Sequence, residues 1–448
     1  MIRQHSKDLT TGSLGTQILF FSIPLMISNL LQVLFNMTDI AVVGRFSGAA
    51  ALGAVGSTTT LIVLFTGIQI GMGNGVNVLT AQYFGAKKER EVREMVHSSL
   101  ILCVLVGLIS LAAGQLLTRS LLEFLHTKSE LIGGASLYLR IYFMGMPALA
   151  IYNFGNGVLS AVGDTKRPLY YLLTAGILNI VLNLIFVIVC GLGVAGVAMA
   201  SIISQYLSAG LILNFLFRSD SLYALRFSAL HLTKDKAARI LAVGIPAGIQ
   251  NAIFQTANLF IQMGVNTFDA TVVAGNAAAA NADALVYDVM AAFYTACSSF
   301  MGQNFGAGKK DRVLKSYLVS LAYSFGFGAV LGLTLVLFGR PFLSLFTGDP
   351  AVVEAGRNRL VVMGLSYAFS AFMDCSIAAS RGLGKSLVPT VIVILGSCVF
   401  RVVWVYTIFA YFGTILSLYL LYIFSWSITA VAEIAYLRYC YRKQMALL

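Results

Sequence analysis

The chain has 448 residues, of which 58% are hydrophobic and 11% charged, and a formal net charge of +12. Soluble domains carry roughly 25% charged residues, so this composition excludes a water-exposed globular surface over most of the chain. The positive charge does not point to nucleic acid, because Lys and Arg stand in short clusters between apolar runs, without the interleaved aromatics on which bases stack. The six cysteines are isolated, no Cys/His ligand spacing occurs and the four histidines are scattered, which argues against a metal site or a disulfide framework.

In chain order, a polar and basic start over 1–17 leads into an apolar run over 16–43, too long for a signal-peptide core. Further runs follow near 53–82, 96–118, 131–160, 169–190 and 194–217, then 238–265, 274–303, 315–338, 356–380, 389–411 and 415–437. Each reaches the about 20 residues that a bilayer-crossing helix needs. Only helices satisfy their own backbone over such runs in lipid, so an all-α integral membrane protein with twelve transmembrane helices is expected. If the spans alternate, one side collects the basic clusters at Lys87–Arg93, Lys166–Arg167, Arg218–Arg239, Lys309–Lys315 and Arg438–Lys443. The other side keeps only Arg45, Arg119, Lys128, Arg140, Arg340, Arg357 and Arg359. The basic side is the cytoplasmic one, which places both termini in the cytoplasm of a multi-pass protein of the cell membrane.

The chain also resembles itself at a shift of about 221 residues. Ile23-Pro24 recurs as Ile245-Pro246, the run Gln82-Tyr-Phe-Gly-Ala-Lys-Lys recurs as Gln303-Asn-Phe-Gly-Ala-Gly-Lys-Lys, and Gly163 and Pro168 recur as Gly384 and Pro389. Each repeat holds an even number of spans, so both enter the membrane in the same sense. Two six-helix lobes, 1–217 and 238–448, are then expected around a pseudo-twofold along the membrane normal, joined by a cytoplasmic linker over 218–237. Paired lobes of this kind suit a secondary transporter. The repeated prolines are candidate hinges as well as ordinary kinks.

Polar groups inside spans are costly and therefore informative. In the first span Asn29, Gln32, Asn36 and Asp39 share one helical face and carry a single carboxylate, which reads either as a coupling site or as a hydrogen-bonded helix seam. The seventh span carries Asn251, Gln255, Asn258, Gln262 and Asn266 without an acid. Asn153, Asn156, Asn179 and Asn183 add amides at helical spacing in the fourth and fifth spans. Oxygens of this kind around one carboxylate suit a proton relay or a weakly held Na⁺, with Asp39, Asn179 and Asn183 as the candidate ligands. In the second lobe Asp283, Asp288, Asp374 and Arg401 fall within spans. Arg401 lies about 12 residues, roughly 18 Å, into its helix, and the expected counter-charge is Asp283 or Asp374.

Several of these segments together resemble the multidrug and toxic compound extrusion (MATE) family, part of a superfamily that includes flippases of polysaccharide and lipid precursors. The matching pieces are Ile23-Pro24, Asp39-Ile-Ala-Val-Val-Gly-Arg, Ala81-Gln-Tyr-Phe-Gly-Ala, Gly163-Asp-Thr-Lys-Arg-Pro, Asn179-Ile-Val-Leu-Asn183, Gly191-Leu-Gly-Val-Ala-Gly-Val-Ala and Arg381-Gly-Leu-Gly-Lys. The resemblance implies an exporter of small organic, often cationic compounds by antiport with H⁺ or Na⁺, working as a monomer among membrane lipids, with no organic cofactor, no enzymatic activity and no nucleic-acid partner. It implies an N-lobe coupling site on Asp39, with Asn153, Asn179, Asn183 and Ser201 around it and Tyr138 nearby. The C-lobe candidates are Asp283, Asp374, Arg401 and Gln255. This chain has Asn183 where many members carry a second acid, which favours H⁺, and Gln255 where some carry a glutamate. The competing reading is a flippase for a lipid-linked saccharide, which the shortage of intramembrane basic residues disfavours.

Overall fold

The computed structural model describes residues 7–446, and among these every regular element is helical. Eleven helices are long and apolar enough to cross a membrane by themselves, and one bent pair brings the number to twelve. In chain order they are α1 (Leu14–Phe46), α2 (Gly48–Gly85), α3 (Glu89–Phe124), the bent pair α4, α5 (Lys166–Val189) and α6 (Gly193–Arg218). A second set follows as α7 (Lys234–Val265), α8 (Ala270–Gly306), α9 (Lys310–Leu343), α10 (Pro350–Gly382), α11 (Leu387–Phe412) and α12 (Ile415–Met445). The bent pair is Ser129–Phe143 with Met146–Ala161, turned by 46°. Pro147 opens the second piece, where a proline fits because its missing N–H would have no partner anyway. Gly145 at the bend passes so close to α6 that a Cβ there would lie 2.2 Å from Gln205 Oε1.

By compactness the chain divides into two units. Among the described residues, one is Ile27–Ala252 with Lys7 and Asp8, and the other is Leu9–Met26 with the chain from Ile253 onward. The repeat divides the sequence at the linker, whereas compactness divides it inside α1 and α7. Both changes fall within about two turns of the prolines Pro24 and Pro246, where a helix loses an internal hydrogen bond and bends most easily.

Within the first unit the core is built from Met72, Val76, Val96, Phe154, Val158 and Ile212. Within the second it is built from Tyr294, Cys297, Tyr317, Met363, Trp404 and Tyr422. Lipid is as apolar as Leu, so helices gain from close backbone approach rather than from hydrophobic burial alone, and small residues mark the crossings. In the first unit a Cβ on Gly157 would lie 2.5 Å from the Gly73 carbonyl oxygen, and one on Gly71 would lie 2.5 Å from Gly248 N. In the second, α9 crosses α10 at Gly332 and Gly364, where a Cβ on Gly332 would lie 2.0 Å from the Gly364 carbonyl oxygen.

The repeated Gln-x-Phe-Gly-Ala segments have the same structural use in both units. In the second, Gln303 accepts from the Leu9 N–H (3.1 Å), Lys309 donates to the Thr10 carbonyl (2.7 Å) and Arg312 donates to the Gly12 carbonyl (2.9 Å), so the segment leading into α1 is held. In the first, Lys236 at the start of α7 donates to the Tyr83 hydroxyl (3.1 Å), stacks over that ring and pairs with Glu91.

The glycine crossing gives a direct test. Gly332→Val should lower the thermal unfolding midpoint of the purified protein, at a cost of about 1–3 kcal/mol or more for overpacking. Gly326→Ala, where a Cβ meets nothing within 4 Å, should leave the midpoint unchanged. Equal midpoints for both variants would show that the α9–α10 crossing does not depend on backbone contact.

Candidate functional site

Asp39 is the buried end of the α1 polar stripe, and its carboxylate is met from two other helices. Asn183 Nδ2 on α5 donates to Asp39 Oδ1 (2.5 Å), and Ser201 Oγ on α6 donates to Oδ2 (3.1 Å). Asn183 also donates to Asn179 Oδ1 (3.2 Å), and Asn179 Nδ2 donates back to Ser201 Oγ (3.4 Å), so the four side chains close a network. The helices reach this contact because Gly176 on α5 leaves room for the Phe35 ring, within 1.8 Å of where a Cβ would stand. Asp39 lies one turn beyond Phe35 and Asn183 two turns beyond Gly176, so the glycine sets the register that brings acid and amide together. Immediately after Asn183 the helix widens into a π-helical turn, Leu184–Val189, a local form that often accompanies functional sites.

The rest of the α1 stripe is not buried in protein: Asn29 is half-buried, and Gln32 and Asn36 are exposed. Tyr138, on the first piece of α4, is buried and packs with Val42, Val43, Val187 and Val197 beside the network. Asn153 joins none of these hydrogen bonds, its amide donating to the Leu149 carbonyl of its own helix (2.9 Å). Asn183 Oδ1 is buried and has no hydrogen-bond partner among the described residues. An acid, two amides and a hydroxyl therefore meet in one buried place, with acceptor oxygens to spare. Such a set can hold a proton on the carboxyl group, or offer oxygens to a small hard cation.

The second unit distributes its charges differently from the sequence expectation. Arg401 is paired with neither Asp283 nor Asp374. Its guanidinium lies over the rings of Phe254 (4.7 Å) and Tyr422 (5.0 Å), with Nη1 donating to Asn258 Oδ1 (3.0 Å) and Nε to Ser425 Oγ (3.3 Å). Aromatic faces are negative and can replace an acid as the partner of a desolvated cation. Asp283 is taken by Arg359, which the sequence reading put on the outer side of the membrane but which is 4% exposed. The same carboxylate accepts from the Tyr367 hydroxyl, while Arg359 Nη1 donates to Asn276 Oδ1 (2.7 Å) and faces the rings of Tyr419 and Tyr422 at 5.5 Å. A usable signal was present in the spacing, since Asn276 and Asp283 share one face of α8 and Arg359 and Tyr367 one face of α10.

Asp374 is half-buried and makes no ion pair among the described residues; the charged groups that act on it are Arg381, Arg401 and Glu433. Gln255 is exposed on α7, one turn before Asn258. A further acid was missed by sequence reasoning. Glu433 on α12 is fully buried, its two oxygens lack hydrogen-bond partners among the described residues, and the charges facing it are Arg381 and Asp374. It lay inside the 415–437 run, and a carboxylate there was signal enough.

The MatE family model matches this sequence twice, over 24–185 and over 246–407, so each match begins at one of the two repeated prolines. The "Probable multidrug resistance protein YpnP" of Bacillus subtilis is 31% identical over 363 residues, 81% of each chain. The "FAD transporter" of Shewanella oneidensis is 26% identical over 367 residues, 80% of each chain. In fold the chain is similar to a solved "outward-facing conformation of a multidrug resistance MATE family transporter of the MOP superfamily", with a TM-score of 0.92 at 23% identity over 98% of this chain and 99% of that one. It is equally similar, at a TM-score of 0.92 and 23% identity over the same shares, to a "MOP superfamily transporter from Pyrococcus furiosus".

The Arg359–Asp283 pair can be tested by stability alone. Asp283→Ala should destabilise the protein by about 3–5 kcal/mol, because it strands a buried guanidinium. Adding Arg359→Met should recover much of that loss in thermal unfolding. A double variant no more stable than Asp283→Ala would show that the pair is not what answers the Arg359 charge.

Proposed function

This chain belongs to the MatE family, a family of membrane transporters, and we propose that it exports small organic, often cationic and amphiphilic compounds by antiport with H⁺ or Na⁺. Relatives named for multidrug resistance support the cargo class. The observation that carries the coupling is Asp39, a buried carboxylate held only by neutral groups, Asn183, Ser201 and, through them, Asn179.

With the carboxylate ionised, the Asn183 amide donates to it through Nδ2. When a proton occupies Asp39, the carboxyl group becomes a donor, and a half-turn of the Asn183 amide presents the unpartnered Oδ1 to receive it. The network thus accommodates either protonation state by exchanging one hydrogen bond for another. A single acid favours H⁺, and the oxygens of Asp39, Asn179, Asn183 and Ser201 are the candidate ligands if the ion is Na⁺. Loading the site changes which conformation is of lower energy, and an ion gradient can therefore drive alternating access. Tyr138 forms one wall of the site, and Asn153 and the second-unit groups Asp374, Gln255 and Arg401 belong to cargo binding or to a second coupling step. In this reading the protein is a monomer of the cell membrane with cytoplasmic termini, surrounded by lipid, and needs neither nucleic acid nor an organic cofactor.

Asp39→Asn should insert and fold normally and still bind tetraphenylphosphonium, yet lose at least roughly tenfold of gradient-driven efflux from proteoliposomes, as removal of a required acid–base group does. Wild-type efflux by Asp39→Asn under the same ΔpH and Na⁺ gradients would place coupling elsewhere. Single cysteines at positions 88 and 310, in a background lacking the native ones, should both label from the cytoplasmic side. Labelling from opposite sides would overturn the orientation.

A further inference from the structure

The first unit fills a groove that the described residues of the second leave open. After α6 the linker folds back, with the Leu225 N–H donating to the Leu216 carbonyl (3.0 Å), and Tyr223 and Leu225 become buried against Leu216, Val92 and Val96. One repeat shift later, about 221 residues on, Leu437, Val313 and Tyr317 stand in the places of Leu216, Val92 and Val96. There a cavity of about 340 Å³ opens between α8, α9 and α12, lined by Met301, Leu314, Tyr317, Leu437, Arg438 and Arg442. The floor is closed by packing and by hydrogen bonds: Leu437 and Met301 are buried, and the Tyr441 hydroxyl donates to the Lys310 carbonyl (3.1 Å) at the end of the groove. Leu314 and Ile434 remain exposed along its open side.

The polar end of this groove is a pair of arginines one helical turn apart on α12. At the same shift the first unit has Phe217 and Ser221, so the positive charge belongs to the uncovered groove and not to the repeat. Both arginines are exposed, and neither has an acidic partner among the described residues. Both stand in the last turns of a membrane-spanning helix, at the depth where headgroups lie. An apolar slot running along helices toward the membrane interior, closed at the headgroup level by two forked cations, fits one chemistry. Guanidinium groups bind phosphate oxygens, and basic pockets between membrane helices take anionic lipid headgroups.

We propose that this groove is a site for one anionic phospholipid, its phosphate on Arg438 and Arg442 and an acyl chain against Leu314, Ile434 and Leu437. In the second unit the lipid takes the part that Tyr223 and Leu225 play in the first, sealing the ends of three helices. The site depends on the chain spanning a membrane and is independent of how transport is coupled.

The test uses the full chain reconstituted in bilayers of equal phosphatidylglycerol and phosphatidylcholine, extracted gently and weighed by native mass spectrometry. The wild type should retain phosphatidylglycerol in preference to phosphatidylcholine. Arg438→Ala with Arg442→Ala should lower that preference roughly twenty-fold, as expected for two basic groups at a membrane surface. Lys87→Ala with Lys88→Ala, which removes the same charge from the first unit, should leave it unchanged, as should excess inorganic phosphate. Leu314→Trp keeps both arginines but fills the slot, and it too should abolish retention; it serves as the second variant if the arginine pair fails to fold. An unchanged preference in the arginine and tryptophan variants would overturn the assignment. Displacement by inorganic phosphate would reduce the site to a bare anion site, and a cross-link from a cysteine at position 434 to a second copy or to the chain's own C-terminal residues would assign the groove to protein; either result overturns it.

Discussion

A chain whose spans lie in hydrocarbon must answer every buried polar group from within itself, because neither water nor counterion can do so. Three charged groups among the described residues meet this constraint in different chemical ways, each leaving the group with different freedom, whereas the oxygens of the buried Glu433 have no hydrogen-bond partner there. Asp283 is answered by a full opposite charge, and protonating it would break an ion pair and strand Arg359. Arg401 is answered by ring faces and neutral oxygens, an arrangement that holds a permanent charge in place but has no proton to exchange. Asp39 is answered by dipoles alone, which can turn. Of these three intramembrane charges it is the one that can change state while its surroundings only reorient, and that difference separates a structural ion pair from a group able to couple transport to an ion.

Much of the architecture was legible because the bilayer imposes so few solutions. Apolar runs long enough to span could only be helices, and the recurrence of Ile-Pro and Gln-x-Phe-Gly-Ala could be read directly as a repeat. The Asp39 network was partly legible for the same reason: Asn179 and Asn183 are amides one turn apart on a helix that had no other use for them. Ser201 and Tyr138 came only through family resemblance, since a lone Ser or Tyr in an apolar run carries no signal of its own. Asn153 lies beyond the 46° bend of α4, which the apolar pattern alone does not show. The partner of Arg401 was misread for a different reason. Sequence shows which acids exist, but the choice between an acid and an aromatic face is decided by tertiary distance. Arg359, at the margin of its apolar run, could be assigned to a loop or to a core with equal ease, and that assignment left Asp283 free in the sequence reading when in the fold it is already taken.

The repeated segments show how duplication has been used beyond doubling the number of helices. Each Gln-x-Phe-Gly-Ala segment holds the stretch of chain that leads into a proline-containing helix, residues 9–12 in the second unit and Lys236 in the first. In sequence, however, residues 9–12 belong to the first repeat, and Lys236 to the end of the linker that leads into the second. The two proline helices consequently begin in one compact unit and end in the other, and the change of unit comes within a few residues of the proline. A proline at that place removes the hydrogen bond that would otherwise make the helix stiff across the change. The segment that anchors the helix and the residue that softens it are thus both repeated, at the same shift. Their joint recurrence is more economical to explain as a requirement for two equivalent, bendable connections than as packing alone, since packing would be served as well by helices that stayed within their own repeat.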